Sequence, residues 1–290
     1  MDVFQETQQE SSKRMYTARA EDYENSWHPE LSRRMVGFAQ LKPGERVLVL
    51  ACGTGLEVFP AAEAVGRSGE VVGVDITDAM LDRARRKQQA LGDGGRHIRL
   101  LAGDVTNLDE AVPQLAGRRF DAVLCCSAFV LLQNPDAVVA SWRRLLDPES
   151  GRLVVDITHE QNHQPSLIFA RAALRLGAGT RFPSNREWVK SRDSFKDVLE
   201  AQGYKVERIE RLDNISGRGE SEHGVEVADE QFDGFSAKLP NLGLAEVAKD
   251  KELVGRLKVL FKEEWEKAAA AGGGKIVDLD TVYVYVARTA

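Results

Sequence analysis

The sequence predicts an α/β protein, a parallel sheet covered by helices on both faces. Three observations predict it. From Glu45 onward, short runs rich in Val, Leu and Ile alternate with helical patterns, as expected for parallel strands joined by crossover helices. The first run leads straight into a glycine turn, ACGTG (51–55). The second ends in Asp75, twenty residues after Gly55, at the sheet edge where open α/β folds bind ligands.

RVLVL (46–50) reads as the first strand and LEVFPAAEAVG (56–66) as a helix that tolerates Pro60 in its first turn. EVVGVD (70–75) is the second strand, and DAMLDRARRKQQALG (78–92) a strongly amphipathic helix closed by Gly92. HIRLLAGD (97–104), FDAVLCC (120–126) and GRLVVDIT (151–158) are strands three to five, separated by helices over NLDEAVPQLAG (107–117) and PDAVVASWRRLL (135–146). Residues 158–190 are less regular and contain the helical pattern SLIFARAALRLG; a further helix is expected around 194–202. YKVERIERL (204–212) and TVYVYVAR (281–288) are the last two strands.

Two regions lie outside this core of residues 45–212 and 276–290. Residues 1–44 carry helical pattern such as ELSRRMVGFAQL, and residues 213–275 a polar loop followed by one long helix over 244–271. Both are candidate covers for a site, and the long helix is a candidate lid or homodimer contact.

With 43% hydrophobic and 29% charged residues, the 290-residue chain is long enough to bury a full core and lacks the composition of a disordered protein. Its longest largely apolar run, AVLCCSAFVLL (122–132), is too short to span a bilayer, and the N-terminus has no signal-peptide core, so a cytoplasmic protein with no membrane partner is expected. The three cysteines, Cys52, Cys125 and Cys126, form no disulfide framework and read as small buried hydrophobes. A net charge of -6 opposes a nucleic-acid surface, and the basic cluster Arg83, Arg85, Arg86 and Lys87 reads as a solvated helix face.

A glycine turn between a strand and a helix lets backbone N–H groups approach a ligand closely. A carboxylate at the end of the second strand can accept both ribose hydroxyls of an adenosine. A dinucleotide fingerprint would need a third glycine, but that position is Val58 counted from Gly53 and Gly55, and Leu56 counted from Ala51 and Gly53. Hydride transfer is thereby disfavoured. Gly103-Asp104-Val105 places a second short carboxylate at the same edge, able to accept an adenine amine, so an adenosine without a pyrophosphate is the better ligand.

On VLVLACGTG, VVGVDIT, AGDV, FDAVLCCSAFVLL and GRLVVDI in this order, the chain resembles the class I S-adenosylmethionine-dependent methyltransferases. YENSW near the start and DAMLDRAR make it most similar to the small-molecule enzymes of the ubiquinone and menaquinone biosynthesis type. The resemblance implies a Rossmann-like, seven-stranded sheet whose last strand inserts antiparallel beside the fifth. It implies S-adenosyl-L-methionine as cofactor, held by the loop Ala51, Cys52, Gly53, Thr54 and Gly55, with Gly53 and Gly55 against the methionine part. Asp75 would take the ribose, Ile76 and Met80 the adenine, Asp104 and Val105 its edge, and Cys126 and Ser127 the amino or sulfonium end. Tyr23 matches a tyrosine that closes over the cofactor. Two positions depart from the family pattern: Val49 replaces an acid that indirectly anchors the methionine ammonium, and Ala51 replaces the motif's first glycine, a sterically mild change.

The expected function is in-line methyl transfer to a small, apolar or aromatic metabolite; the alternative is a protein of this fold that binds the cofactor or a partner without methylating. The carboxylate that magnesium-dependent catechol-type enzymes want just after the fourth strand is absent, where Cys125, Cys126 and Ser127 stand, so no metal is expected; the N-P-P-Y or D-P-P-Y loop of amino-methylating nucleic-acid enzymes is also absent there, which with the acidic charge favours a small acceptor. Candidate bases are His28, His159 and His163, with Tyr23 as a hydrogen-bonding alternative, and His159 leads because it follows the fifth strand's carboxyl end. Trp27, Phe129, Phe169, Phe182 and Trp188 are candidates for an apolar acceptor pocket or for ordinary core. His159-Glu160-Gln161-Asn162-His163 spells the H-E-x-x-H of zinc proteases, but it emerges directly from a strand and Pro165 follows, so one helix through both histidines is not expected.

Overall fold

The computed structural model describes residues 7–178, 186–240 and 242–290. Two helices precede the sheet, α1 (Gln8–Arg19) and α2 (His28–Ala39). Then β1 (Arg46–Leu50), α3 (Val58–Val65), β2 (Glu70–Asp75), α4 (Asp78–Ala90), β3 (Ile98–Ala102), α5 (Leu108–Ala111), β4 (Ala122–Cys125), α6 (Pro135–Arg143) and β5 (Arg152–Thr158) follow in strict alternation. α7 (Gln164–Arg175), α8 (Ser194–Ala201), β6 (Tyr204–Asp213), β7 (Ser221–His223), α9 (Ala228–Ser236), α10 (Ala245–Lys249), α11 (Lys251–Ala271), β8 (Ile276–Asp278) and β9 (Thr281–Thr289) complete the chain.

The main sheet has seven strands in the order β3-β2-β1-β4-β5-β9-β6. β1 to β5 are parallel, and β9 enters antiparallel between β5 and β6, pairing Val155 with Tyr285. The fold is thus the seven-stranded α/β sheet the sequence predicts. Strand order reverses at β1, whose neighbours are β2 on one side and β4 on the other. A crevice opens at such a switch point because the connecting helices leave in opposite directions.

Alternation along each strand builds two cores. Leu48, Leu50, Val72, Val74, Val123 and Val155 face one layer with Trp142 and Phe195, while Val47, Val49, Val71, Leu124 and Val154 face the other with Leu31, Met35, Val58 and Ala61. α7, α9, α10 and α11 form a third apolar cluster around Phe169, Phe232, Phe261 and Trp265.

Two expected helices differ, and α1, β7, α9 and β8 have no counterpart among the expected elements. The helix over 107–117 is α5 followed by a single 3-10 turn, Pro113–Leu115, since Pro113 has no N–H to continue the ladder. The long helix over 244–271 is divided at Asp250, whose carboxylate accepts the N–H groups of Glu252 and Leu253 and starts α11 afresh. Thr7 and Glu10 form a reciprocal capping box at the start of α1. Among the described residues no helix is long and apolar enough to cross a membrane.

Candidate functional site

At the switch point lies a cavity of about 450 Å³, within the range of small-ligand pockets. Its floor is the chain leaving β1, β2, β3 and β4: Ala51 and Gly53, then Asp75 to Thr77, then Asp104 to Thr106, then Cys126 to Ala128. Leu131 to Asn134, with Ala137 and Val138 of α6, close one side, and Thr7, Gln9, Ser12, Tyr16 and Tyr23 close the other.

Asp75 is buried at the centre of this floor. Its Oδ2 accepts the Gly53 N–H at 2.8 Å and its Oδ1 the Thr77 N–H at 2.7 Å. Burial pushes the carboxyl up from its ordinary value, against these two donors that pull it down. Each oxygen keeps acceptor capacity toward the cavity. Asp104 is braced by Thr106, whose N–H and hydroxyl donate to Oδ1 at 2.9 and 2.8 Å, and is touched from above by the Gln9 amide. Ile76, Met80 and Val105 supply apolar surface between the two carboxylates.

The glycine loop explains its own composition. Gly53 has φ 52°, and a Cβ there would come within 3.9 Å of the Tyr23 ring. Gly55 has φ 86°, and a Cβ there would fall 2.6 Å from the Phe59 ring, so a side chain would be strained by conformation and would have to displace that ring. Ala51 has φ 51°, so the glycine of the family pattern is replaced at a left-handed position and the change is not sterically mild. Left-handed backbone costs an L residue roughly 1–2 kcal/mol, offset by roughly 0.5–1 kcal/mol of extra glycine entropy. Ala51→Gly is therefore expected to stabilise the fold by about 0.5–1 kcal/mol in urea denaturation; a loss of stability would show that the methyl group packs favourably.

Of the residues implied as cofactor contacts, Tyr23, Ala51, Gly53, Asp75, Ile76, Met80, Asp104, Val105, Cys126 and Ser127 come together around this cavity. Cys52, Thr54 and Gly55 are absent from its lining; Cys52 and Thr54 are buried beneath the loop.

The histidines are elsewhere. His159 is buried, stacks on Tyr283 at 4.9 Å and accepts the Gln161 N–H on Nδ1 at 3.0 Å. Burial lowers its pKa. His163, whose pKa is also lowered by burial, precedes the first residue of α7 with φ 56°, so the helix begins after both histidines and the H-E-x-x-H spelling has no helical geometry. Neither histidine lines this cavity. His159 is held on the β9 side of β5: its ring stacks on Tyr283 of β9 and its N–H is accepted by the Thr281 carbonyl.

His28 is buried behind Tyr23, stacked on Trp27 at 3.9 Å and bonded through Nδ1 to Ser26 Oγ at 2.7 Å. Burial lowers its pKa to about 4, leaving it neutral. Burial raises the Tyr23 phenol well above its ordinary value, so at neutral pH it keeps its proton and is not a base. Among the expected apolar pocket residues, Trp27, Phe129, Phe169 and Trp188 pack in the three cores and none lines the cavity; Phe182 lies outside the described residues.

Sequence reasoning missed Thr7, Gln9, Ser12 and Tyr16 of the α1 wall, although the T-x-x-E spacing of Thr7 and Glu10 signals the helix start. It also missed Glu57 and Asp156, two buried carboxyls near Cys126 for which strand periodicity holds no signal.

Residues 47–149 match the family model described as "Methyltransferase domain". The chain is 33% identical over 153 residues, 50% of its own length and 66% of the other's, to the aklanonic acid methyltransferase DauC of Streptomyces sp. strain C5. It is 31% identical over 197 residues, 61% of its own length and 75% of the other's, to the demethylmenaquinone methyltransferase of Staphylococcus carnosus. Against three curated relatives that include the Streptomyces protein, the matched stretch spans 32–66% of their length. In fold it is similar to the S-adenosylmethionine-dependent methyltransferase of Geobacter sulfurreducens crystallised with S-adenosyl-L-homocysteine, at a TM-score of 0.51 and 16% identity over 89% of this chain and 90% of that one.

Proposed function

The chain belongs to the S-adenosylmethionine-dependent methyltransferases, and from that premise we propose that it transfers a methyl group to a small, apolar or aromatic metabolite. The observation that carries this reading is the cavity at the switch point, with two carboxylates one strand apart and apolar surface between them. That donor and acceptor set fits an adenosine: Asp75 for the ribose hydroxyls, Ile76 and Met80 for the ring faces, Asp104 for the exocyclic amine. Ala51, Gly53, Cys126 and Ser127 would then lie along the methionine part, with Tyr16 and Tyr23 on its outer side.

S-adenosylmethionine supplies an electrophilic methyl group on a sulfonium. The protein's contribution is to fix the acceptor in line with it and to exclude water, an orientation effect that reaches about 7–11 kcal/mol in well-aligned systems. Among the described lining residues there is no histidine or lysine, Tyr23 holds its proton, and the reading favours an acceptor that is already nucleophilic in neutral solution. The two named relatives act on aklanonic acid and demethylmenaquinone, which supports a small acceptor for this chain.

The test is turnover of methyl-labelled cofactor with a metabolite extract. Label is expected in a low-molecular-weight, solvent-extractable product, together with formation of S-adenosylhomocysteine. Cofactor binding without any labelled product would favour the reading in which the fold binds the cofactor and does not methylate, with Val49 in place of an acid as its sequence counterpart.

A further inference from the structure

The chain leaving β4 does something costly. Cys125 is the last residue of that strand to pair with β5, opposite Val155. Two residues on, Ser127 turns into left-handed backbone at φ 54°, a conformation that L residues rarely adopt, and it does so in the cavity floor. Its N–H, released from the ladder, is taken by the Oδ1 of Asp156 at 2.6 Å. Asp156 is the residue after Val155 on β5, buried and outside the cavity lining.

The carboxyl does not stand alone. The Cys126 thiol lies against both Asp156 and Glu57, and Ser32 of α2 donates its hydroxyl to Glu57 Oε1. Both carboxyls are buried, so every hydrogen bond here matters more than it would in water. The network runs behind the β4 end of the cavity floor, on the side assigned to the methionine part of the cofactor.

We propose that Asp156 is a positioning residue for cofactor binding: by holding the Ser127 N–H it keeps the loop after β4 in the left-handed turn that presents Cys126, Ser127 and Ala128 to the methionine end of the site. This rests on the proposed methyltransferase reading of the cavity. An acceptor atom is what the turn needs; a negative charge is not. Asparagine at 156 therefore retains the function, and alanine loses it. Glycine at 127 adopts left-handed backbone without help, so it relieves the need for Asp156.

Binding of S-adenosylhomocysteine by calorimetry, with KM and kcat once an acceptor is found, distinguishes these cases. Wild type, Asp156→Asn, Asp156→Ala, Ser127→Gly and the double variant Ser127→Gly/Asp156→Ala are compared. Asp156→Ala is expected to weaken binding by about tenfold and to raise KM for the cofactor more than it lowers kcat, the loss expected for one hydrogen bond and its loop order. Asp156→Asn stays within about threefold of wild type, and the double variant binds within about threefold of Ser127→Gly alone. Where alanine leaves too large a hole to fold, Asp156→Leu fills the volume without an acceptor and is read in the same way. Failure of the wild type to bind S-adenosylhomocysteine would overturn the methyltransferase reading and this inference with it. Binding by the wild type with equal loss in Asp156→Asn and Asp156→Ala, with no loss in either, or with no relief from Ser127→Gly would overturn the inference and leave the reading standing.

Discussion

Asp75→Ala is expected to weaken binding of S-adenosylmethionine and S-adenosylhomocysteine by about 100-fold or more. Hydrogen bonds to a charged group contribute roughly 1.5–3 kcal/mol each, so two ribose hydroxyls on this carboxylate correspond to about 3–6 kcal/mol, or factors of about 10² to 10⁴. The substitution also frees the N–H groups of Gly53 and Thr77, which the carboxylate now holds at 2.8 and 2.7 Å. The glycine loop and the start of α4 then lose their shared anchor. Asp75→Asn keeps one acceptor and is expected to lose less. Calorimetric titration beside a thermal melt separates lost affinity from lost folding; an Asp75→Ala protein that folds and binds normally would move the ribose away from Asp75.

The parts of this molecule legible in the sequence are those set by local rules. Strand alternation is a period-two pattern, and both faces of the sheet are buried, so RVLVL and EVVGVD could be little else. Gly53, Gly55 and Asp75 announce themselves because a strand-to-helix turn at a sheet edge leaves few residue types workable. What was illegible depends on distant packing. His159 stands after a strand, as a ligand contact would, yet its ring stacks on Tyr283 of β9, a neighbour more than a hundred residues away that local pattern does not announce. α1 has scant amphipathic pattern because it borders the cavity and packs on α4 rather than on the sheet core, so its capping box is what marks it. Asp250 reads as one more charge in a helical run, and its role as a cap follows from its extended backbone. Asp156 reads as the polar end of a strand; its task is to catch an N–H from a residue 29 positions earlier.

That same carboxyl should make the stability of the protein fall with rising pH. Burial, with the Glu57 carboxyl adding to it against the Ser127 N–H, raises Asp156 from 3.8 to about 7. In the unfolded chain the group ionises near its ordinary value, so between about pH 4 and pH 7 the folded state holds a proton that the unfolded state has lost. Stability is then greatest below about pH 4 as far as this group is concerned, declines through the window, and levels off above about pH 7. A displacement of roughly three pH units corresponds to about 4 kcal/mol, an upper figure because loops relax and water enters when a buried carboxyl ionises. Asp156→Asn cannot ionise and keeps an acceptor for Ser127. It is expected to match wild type in urea denaturation at about pH 3.5, below the window, and to exceed it by up to a few kcal/mol at about pH 8. Burial also raises the Glu57 carboxyl, while Cys125 and Cys126 beside Asp156 have thiols pushed well above their ordinary value. A shallower slope from Glu57 therefore persists in the asparagine protein, and the thiols stay neutral across the window. Should the difference between the two proteins be the same at both pH values, Asp156 keeps one protonation state throughout, and its carboxyl faces water or a counter-charge rather than the closed network behind the β4 turn.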